Sequence, residues 1–205
     1  MPPGLWALVN NAGVGGQAEA LGETDIAAWE RTVAIDLNGV AYGMHAQLPV
    51  IEQHGGGAIV NVGSIHSTVA TTVGNSAYTT AKHGLVGLTR QTGVDYAQRG
   101  IRVNAVAPGP FWTALQVSGG KDPEQLPYHG QKNPLKRPGQ PVEMAGAYVY
   151  LASEESSYTT GNTLSVTGGA PAPARAAALV NGTIGHAIDY DDTHFAHIGH
   201  ALAAH

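Results

Sequence analysis

The sequence contains no cysteine, few charged side chains and no apolar run long enough to cross a bilayer. Without cysteine, disulfides and thiolate chemistry are excluded. Charged residues are only 12% of the chain, and 10 Lys and Arg against 15 Asp and Glu give a net charge of −5. No basic stretch resembles a nucleic-acid footprint, and the N-terminal apolar run lacks the basic flank of a signal peptide. We therefore expect a cytoplasmic location, with neither nucleic acid nor a membrane as partner.

Residues 76–88, SAYTTAKHGLVGL, hold the most informative pattern in the sequence. Small and apolar residues recur there every three or four positions, which predicts a helix with Tyr78 and Lys82 one turn apart on one face. A tyrosine in water has a pKa of about 10, and a neighbouring ammonium lowers it. Such a phenol suits proton transfer to or from a substrate oxygen. An isolated Tyr-x-x-x-Lys is more often an ordinary surface pair, so the rest of the chain decides between the two interpretations.

Short apolar runs alternate with helical patterns along the chain, which predicts a parallel α/β sheet with crossover helices. The predicted strands are residues 5–9, 58–62, 101–107 and 163–166, and the predicted helices are residues 24–53, 77–99 and 141–151. Thr24 is a candidate N-cap of the first helix. Asn38 interrupts that helix's apolar stripe, either as a packed polar group or as a water-holding group of a site. Ser64 follows the second strand, at the edge where open α/β sheets bind ligands.

The turn after the first strand is rich in glycine. Gly13, Gly15 and Ala18 satisfy the dinucleotide pattern G-x-G-x-x-A. The acidic residue at a fitting distance, Asp36, falls inside a helical pattern and not at the end of a second strand. An ordinary glycine-rich turn is therefore the favoured interpretation, and a phosphate-binding turn is the alternative.

Two stretches fall outside the alternation of strands and helices. Residues 110–139 are rich in Pro, Gly, Gln and Lys, and an irregular segment of this length is a candidate substrate lid. Residues 170–174 have the composition of a linker, and residues 175–205 beyond them are rich in Ala and His. A metal site could be built there from His194, His197 and His200. A solvated His-rich tail accounts for these histidines without metal, as does the family resemblance of this segment given below, so we predict no metal site.

Taken in order, the motifs of residues 5–169 resemble the short-chain dehydrogenase/reductase family. The matching stretches are NNAG at 10–13, Asn38, GS at 63–64, Tyr78-x-x-x-Lys82, RVNAVAPG at 102–109 with Thr113, and NPLKRPGQPVE through TGNTLSVTGG at 133–169. The resemblance implies a Rossmann-like, doubly wound parallel sheet. It also implies an oxidoreductase that moves a hydride between NAD or NADP and a small-molecule secondary alcohol or ketone.

The resemblance assigns roles to single residues. It implies that Tyr78 is the catalytic acid/base, and that Lys82 lowers its pKa and holds the nicotinamide ribose. Ser64 would polarise the substrate carbonyl, and Asn38 would support a water in a proton relay. The residues implied to line the cofactor are Asn10, Ala12, Gly13, Tyr78, Lys82, Pro108, Gly109 and Thr113.

The family also carries elements for which this sequence shows no counterpart. Its members have a strand, a T-G-x-x-x-G-x-G turn, a helix and two more strands ahead of the NNAG motif, and these bind the pyrophosphate and the adenosine ribose. We therefore expect residues 1–169 to form a truncated domain with an incomplete sheet of about four strands. We also expect its affinity for the cofactor to be weak or absent.

The C-terminal tail, residues 175–205, suggests a second origin. Residues 177–200, AALVNGTIGHAIDYDDTHFAHIGH, resemble a segment of the MmgE/PrpD family, which includes the hydro-lyase 2-methylcitrate dehydratase. Asp189, Thr193 and His200 would match active-site positions of that family. The chain would then be a fusion of a truncated dehydrogenase with a fragment of a lyase. Lyase activity is the least favoured function because the resemblance covers only this short segment.

A non-catalytic scaffold that self-associates is the main alternative to an oxidoreductase. In the resembled family, the helices that correspond to residues 24–53 and 77–99 pack into dimer interfaces. An unpaired strand edge would add a further surface for association. We therefore expect a homo-oligomer.

Overall fold

Four parallel strands form one sheet, in chain order, in a computed structural model that describes residues 6–70, 74–118 and 123–170. The strands are β1 Trp6–Asn10, β2 Gly57–Val62, β3 Ile101–Pro108 and β4 Thr163–Val166. The helices are α1 Ile26–Val33, α2 Gly39–Gln53, α3 Ser76–Tyr96, α4 Leu115–Ser118 and α5 Pro141–Ala152. The predicted α/β fold with a four-stranded parallel sheet is therefore confirmed.

Helices cover both faces of the sheet. On one face, α2 and α3 pack against β2 and β3 through a cluster that includes Ile59 and the fully buried Leu85. On the other face, Val60 and Val106 pack against Leu151 of α5. Neighbouring residues of a strand face opposite sides of the sheet, so Ile59 and Val60 belong to different clusters. The central strands are buried on both faces, which is why they are continuous apolar runs in the sequence.

A buried amide joins β1, β2 and two helices. The Asn61 side chain donates to Thr89 Oγ1 at 3.0 Å and contacts Met44 Sδ at 3.3 Å, and its Oδ1 accepts from Asn10 at 2.9 Å. Gln47 in turn donates to Asn10 Oδ1 at 2.9 Å. Leaving a buried polar group unpaired costs about 1–3 kcal/mol. This network therefore holds β1 beside β2, and it engages the Asn10 side chain in structural hydrogen bonds.

The first helix differs from its prediction at its start and in its middle. Its N-cap is Asp25, which accepts from the backbone N–H of Ala27 at 3.1 Å. Thr24 does not cap it, because the Thr24 hydroxyl donates to the carbonyl of Ala20 instead. The helix is also not continuous over residues 24–53, since Ala34–Asn38 widen into a π-helical turn between α1 and α2.

The two ends of the segment after β3, residues 110–139, are bonded to each other. Phe111 forms a bridge with Gly139, and the Trp112 N–H donates to the Gly139 carbonyl at 2.8 Å. A ring nitrogen of His129 hydrogen-bonds with the Phe111 carbonyl at 3.1 Å. Between these ends, the segment contains α4 and a 3-10 turn at Pro123–Tyr128. It is therefore less irregular than its composition predicts. Its role as a substrate lid stays a prediction.

No helix in the described ranges combines the length and the apolar character that a membrane span requires. Several predictions fall outside the described residues: most of the linker at 170–174, the dehydratase-like segment 177–200 with Asp189 and Thr193, and the three tail histidines His194, His197 and His200.

An ion pair ties the segment before α5 to the first turn of that helix. Arg137 donates to both carboxylate oxygens of Glu143, at 2.6 and 2.7 Å, and the Gln140 N–H donates to the same carboxylate at 2.8 Å. The Arg137 bonds, followed by the Gln140 bond, lower the pKa of Glu143 from 4.5 to about 2. A lowered pKa in the folded state stabilises the protein fully above the unfolded value, and this contribution is lost as the pH falls through the folded value.

We therefore expect Glu143→Gln to lower the urea midpoint of unfolding at pH 7, with a smaller difference from wild type at pH 3. The glutamine cannot reproduce the two charge-assisted bonds from Arg137. Glu155→Gln, at an exposed glutamate outside α5, is the control and should leave the midpoint unchanged at pH 7. An equal difference at both pH values for Glu143→Gln would show that the ionised carboxylate does not stabilise this helix.

Candidate active site

The carboxyl ends of β1, β2 and β3 lie side by side, because the three strands are parallel and Asn10 pairs with Asn61. The turn after β2 runs close to β3, with the Gly63 N–H donating to the Val106 carbonyl at 2.8 Å. A Cβ at Gly63 would lie 2.7 Å from Ser67 Oγ and 3.0 Å from that carbonyl, so only glycine allows this approach. This turn places Ser64 at the carboxyl edge of the sheet.

Ser64 is held by the turn that it begins. Its Oγ accepts from the His66 N–H at 3.2 Å, and its own N–H donates to Ser67 Oγ at 3.0 Å, which closes a capping box. Ser64 is buried. Burial raises the pKa of the Tyr78 phenol, and the nearby Ser64 side chain acts in the opposite direction. The structure thus brings together Ser64 and Tyr78, two of the predicted catalytic residues.

Helix α3 presents Tyr78 and Lys82 on the same face. Lys82 Nζ lies 5.5 Å from the centroid of the Tyr78 ring and donates to the carbonyl of Val62, at the end of β2, at 3.0 Å. The ring of His66 packs edge-on against Tyr78 with centroids 5.5 Å apart, and its Nδ1 hydrogen-bonds with Thr79 Oγ1. Tyr78 therefore lies between a serine hydroxyl, an imidazole and an ammonium.

The π-helical turn brings in an acid that the sequence analysis did not assign to the catalytic site. Asp36 is fully buried, and its Oδ1 lies 3.9 Å from Lys82 Nζ. Asn38, predicted to support the proton relay, is exposed. Residues two positions apart on a helix face nearly opposite directions, so the structure places Asp36, and not Asn38, beside Lys82. In the structure, buried residues recur every four positions through α1, the π-helical turn and α2, at Thr32, Asp36, Val40, Met44 and Leu48, so Asp36 lies on the buried side.

Burial dominates the electrostatics of these groups. Burial raises the pKa of Tyr78. The Ser64 side chain acts to lower it, and the Asp36 charge acts to raise it further. Burial lowers the pKa of Lys82 and raises that of Asp36, while the attraction between these two charges opposes both shifts. The net shift of the Tyr78 pKa in this structure is therefore upward, and the role of Lys82 in lowering it stays a prediction. The reason is that the phenolate would be desolvated, and that Asp36 faces the same ammonium.

Other predicted site residues lie along the same edge. Ala12 and Gly13 are exposed in the loop after β1, Pro108 and Gly109 are half-buried at the end of β3, and Thr113 is exposed just beyond. The Asn10 side chain is bonded to Asn61 and Gln47, which leaves its main chain as the part that borders the loop. Within the ranges that the structure describes, no group of three or more His, Asp or Glu side chains could hold a metal ion.

A four-stranded parallel sheet with Ser64, Tyr78 and Lys82 at its carboxyl edge defines a Rossmann-like α/β protein. The chain belongs to the short-chain dehydrogenase/reductase family. The family model that matches it, over residues 3–171, is described as enoyl-(acyl carrier protein) reductase.

Similar proteins include enzymes that act on alcohols and ketones. The cyclohexanol dehydrogenase of Acinetobacter sp. (strain SE19) is 39% identical over 160 residues, which cover 78% of this chain and 61% of that protein. The levodione reductase of Leifsonia aquatica is 36% identical over 167 residues, 78% of this chain and 62% of that protein. The chain thus spans about three fifths of the length of these curated relatives.

Solved structures of the same family share the fold. A crystal structure of levodione reductase superposes with a TM-score of 0.73 at 34% identity, covering 80% of this chain and 65% of that one. A 3-oxoacyl-(acyl carrier protein) reductase from Brucella melitensis, solved with bound NAD, gives a TM-score of 0.68 at 32% identity, over 80% of this chain and 61% of that one.

Proposed function

We propose that the chain carries the proton-transfer site of an oxidoreductase that interconverts a secondary alcohol and a ketone. The observation that supports this most is the meeting of Ser64, Tyr78 and Lys82 at the carboxyl edge of the sheet. Ligands of open α/β folds bind at this edge. A partly buried phenol with a fixed ammonium beside it is equipped to exchange a proton with a substrate oxygen.

Each of the three side chains has a distinct task in this reaction. In the reduction direction, the Tyr78 hydroxyl donates its proton to the carbonyl oxygen as that oxygen gains negative charge. Ser64 donates a hydrogen bond to the same oxygen and so stabilises the developing charge. In the oxidation direction, Tyr78 starts as the phenolate and accepts the proton of the alcohol. Lys82 supplies a positive charge close to the phenolate, which forms in reduction and is consumed in oxidation, from a position set by the Val62 carbonyl.

The residues at this edge fit the nicotinamide and ribose half of NAD or NADP. A Cβ at Gly13 would lie 2.7 Å from Asp36 Oδ1 and 3.6 Å from Lys82 Nζ, so the bare main chain of the loop lies directly against the charged groups. Ala12 and Gly13 would hold the nucleotide through their main chain, Lys82 through the ribose hydroxyls, and Thr113 through its exposed hydroxyl. When bound, the cofactor supplies or accepts the hydride.

Titration with NADH and then NADPH, followed by nicotinamide fluorescence, tests the proposal on chain shown to be folded by circular dichroism. We expect saturable binding with a Kd between about 1 μM and 1 mM. The names of the relatives support cyclohexanol as the first substrate, with formation of the reduced nicotinamide as the readout. A folded chain that binds neither nucleotide would contradict the proposal.

A second candidate function is self-association, favoured by apolar side chains left exposed on two helices. Tyr42 and Val50 of α2 are 71% and 44% exposed, and Val94 of α3 is 72% exposed. Large exposed apolar patches mark interaction surfaces, and we propose that these helices form the interface of a homo-oligomer. We expect the light-scattering mass to exceed that of the monomer and to fall in Val94→Asp. Val142→Asp, at a 76% exposed position of α5, is the control and should leave the mass unchanged.

A further inference from the structure

Asp36 is a buried acid that the proposed reaction does not use. Its side chain is fully buried, and Oδ1 accepts from the Val14 N–H at 2.9 Å while lying 3.9 Å from Lys82 Nζ. The other oxygen, Oδ2, is buried and has no hydrogen-bond partner among the described residues. Aspartate is almost never fully buried unless it is paired. Its nearest charge is the ammonium of a predicted catalytic residue.

The loop after β1 covers this pair closely. A Cβ at Gly13 would fall within 2.7 Å of Asp36 Oδ1, so no side chain fits between the loop and the carboxylate. The side chains of Lys82 and Asp36 are only 5% and 0% exposed. Two charges so enclosed interact much more strongly than a surface pair, because little water lies between or around them.

We propose that Asp36 is the counter-ion of Lys82 and a positioning residue of the site. Its carboxylate and the Val62 carbonyl both contact the ammonium, and its negative charge offsets the positive charge that Lys82 presents to Tyr78. An ammonium balanced in this way favours the Tyr78 phenolate less than an unpaired lysine would. The pairing is a property of the folded chain, and only its effect on proton transfer rests on the proposed function.

The other groups around the pair are consistent with this charge balance. Lys82 and Tyr78 of α3 both interact electrostatically with Asp36. The loop after β1 contributes the backbone N–H of Val14. From the turn after β2, His66 contacts Tyr78, and burial together with His83 lowers the pKa of His66, which favours the neutral ring. The charge at the site therefore depends on Asp36, Lys82 and Tyr78.

A nuclear magnetic resonance titration of the lysine Cε in ¹³C-lysine-labelled protein tests the pairing without substrate or cofactor. Asp36→Asn removes the charge at nearly constant shape, and we expect it to lower the titration midpoint of Lys82 by about one pH unit or more. Asp36→Glu restores the charge and should return the midpoint towards the wild-type value. Asp95→Asn removes an exposed carboxylate elsewhere on α3 and should leave it unchanged. The Lys82 resonance is assigned by its loss in Lys82→Arg.

A reciprocal titration of the aspartate Cγ covers the case in which Asp36→Asn does not fold. In the wild type, Asp36 should titrate below pH 7, and Lys82→Met should raise its midpoint by about the same amount, because coupling between two sites is reciprocal. An Asp36 midpoint above pH 7, or an unchanged Lys82 midpoint in folded Asp36→Asn, would mean that Asp36 is neutral and would overturn the proposal. Neither titration requires activity, so a failure of the proposed function would not be mistaken for a failure of the pairing.

Discussion

Replacing Tyr78 with phenylalanine is expected to lower the turnover number for cyclohexanol oxidation by about 10²–10⁴-fold, the usual contribution of a positioned acid or base. The substitution removes only the hydroxyl, the group whose pKa the Ser64 side chain influences. The ring, and with it the contact to His66, remains. The measurement is the initial rate of nicotinamide reduction at saturating alcohol, with the concentration of folded protein matched.

The control for this substitution is Tyr158→Phe, at a fully exposed tyrosine that lies on neither α2 nor α3. It should retain the wild-type rate. Binding of NADH to Tyr78→Phe should change much less than the rate, because the lost hydroxyl is assigned to the substrate oxygen and the ring implied to line the cofactor remains. An undiminished rate in Tyr78→Phe would mean that another group transfers the proton, and the mechanism proposed for this site would then be wrong.

Replacing Leu85 with alanine is expected to lower the free energy of unfolding by about 2–5 kcal/mol, the range for leucine truncations in a packed core. Leu85 is fully buried on α3 within the cluster that joins α2 and α3 to the sheet. Truncation leaves a cavity that rigid neighbours fill only in part. Urea unfolding followed by circular dichroism measures the loss from the shift in midpoint at unchanged slope.

Val149→Ala is the matched control for Leu85→Ala, because it truncates an apolar side chain that is 64% exposed on α5, outside the proposed interface. Its effect should stay within about 0.5 kcal/mol. A similarly small effect for Leu85→Ala would contradict the packing of α3 on the sheet, and with it the support on which Tyr78 and Lys82 depend.

The strands are the part of the fold that the sequence predicts best. Buried parallel strands are short apolar runs, and their bounds are marked by glycine and proline. The prediction for residues 163–166 coincides with β4, and that for residues 101–107 differs from β3 by one residue. Helix starts are harder to predict, because Thr24 and Asp25 are both good N-caps. In the structure the Thr24 hydroxyl donates to the Ala20 carbonyl, and Asp25 is the N-cap.

The candidate site is predictable where it depends on local spacing. Tyr78 and Lys82 are four positions apart on one helix, and Ser64 follows a strand, so a sequence pattern places all three. Asp36 escapes prediction as a site residue, because a carboxylate inside a helical pattern is ordinarily solvated. The sequence also does not predict the direction of the Tyr78 pKa shift. That shift depends on burial and on a charge from another element, which spacing along one helix does not reveal.

The parallel sheet also has a consequence for how the chain folds. β1 meets β2 where Trp6 pairs with Gly57, and β3 meets β4 where Ala105 pairs with Thr163, so each pairing closes a loop of about fifty residues or more. Non-local pairing of this kind slows folding. During synthesis at about 5–20 residues per second, β1 leaves the ribosome about 3–10 s before β2 does. For that interval β2 is not yet available to pair with β1, and the speed of translation sets how long the edge of β1 that pairs with β2 is open to capture by chaperones or by another growing chain.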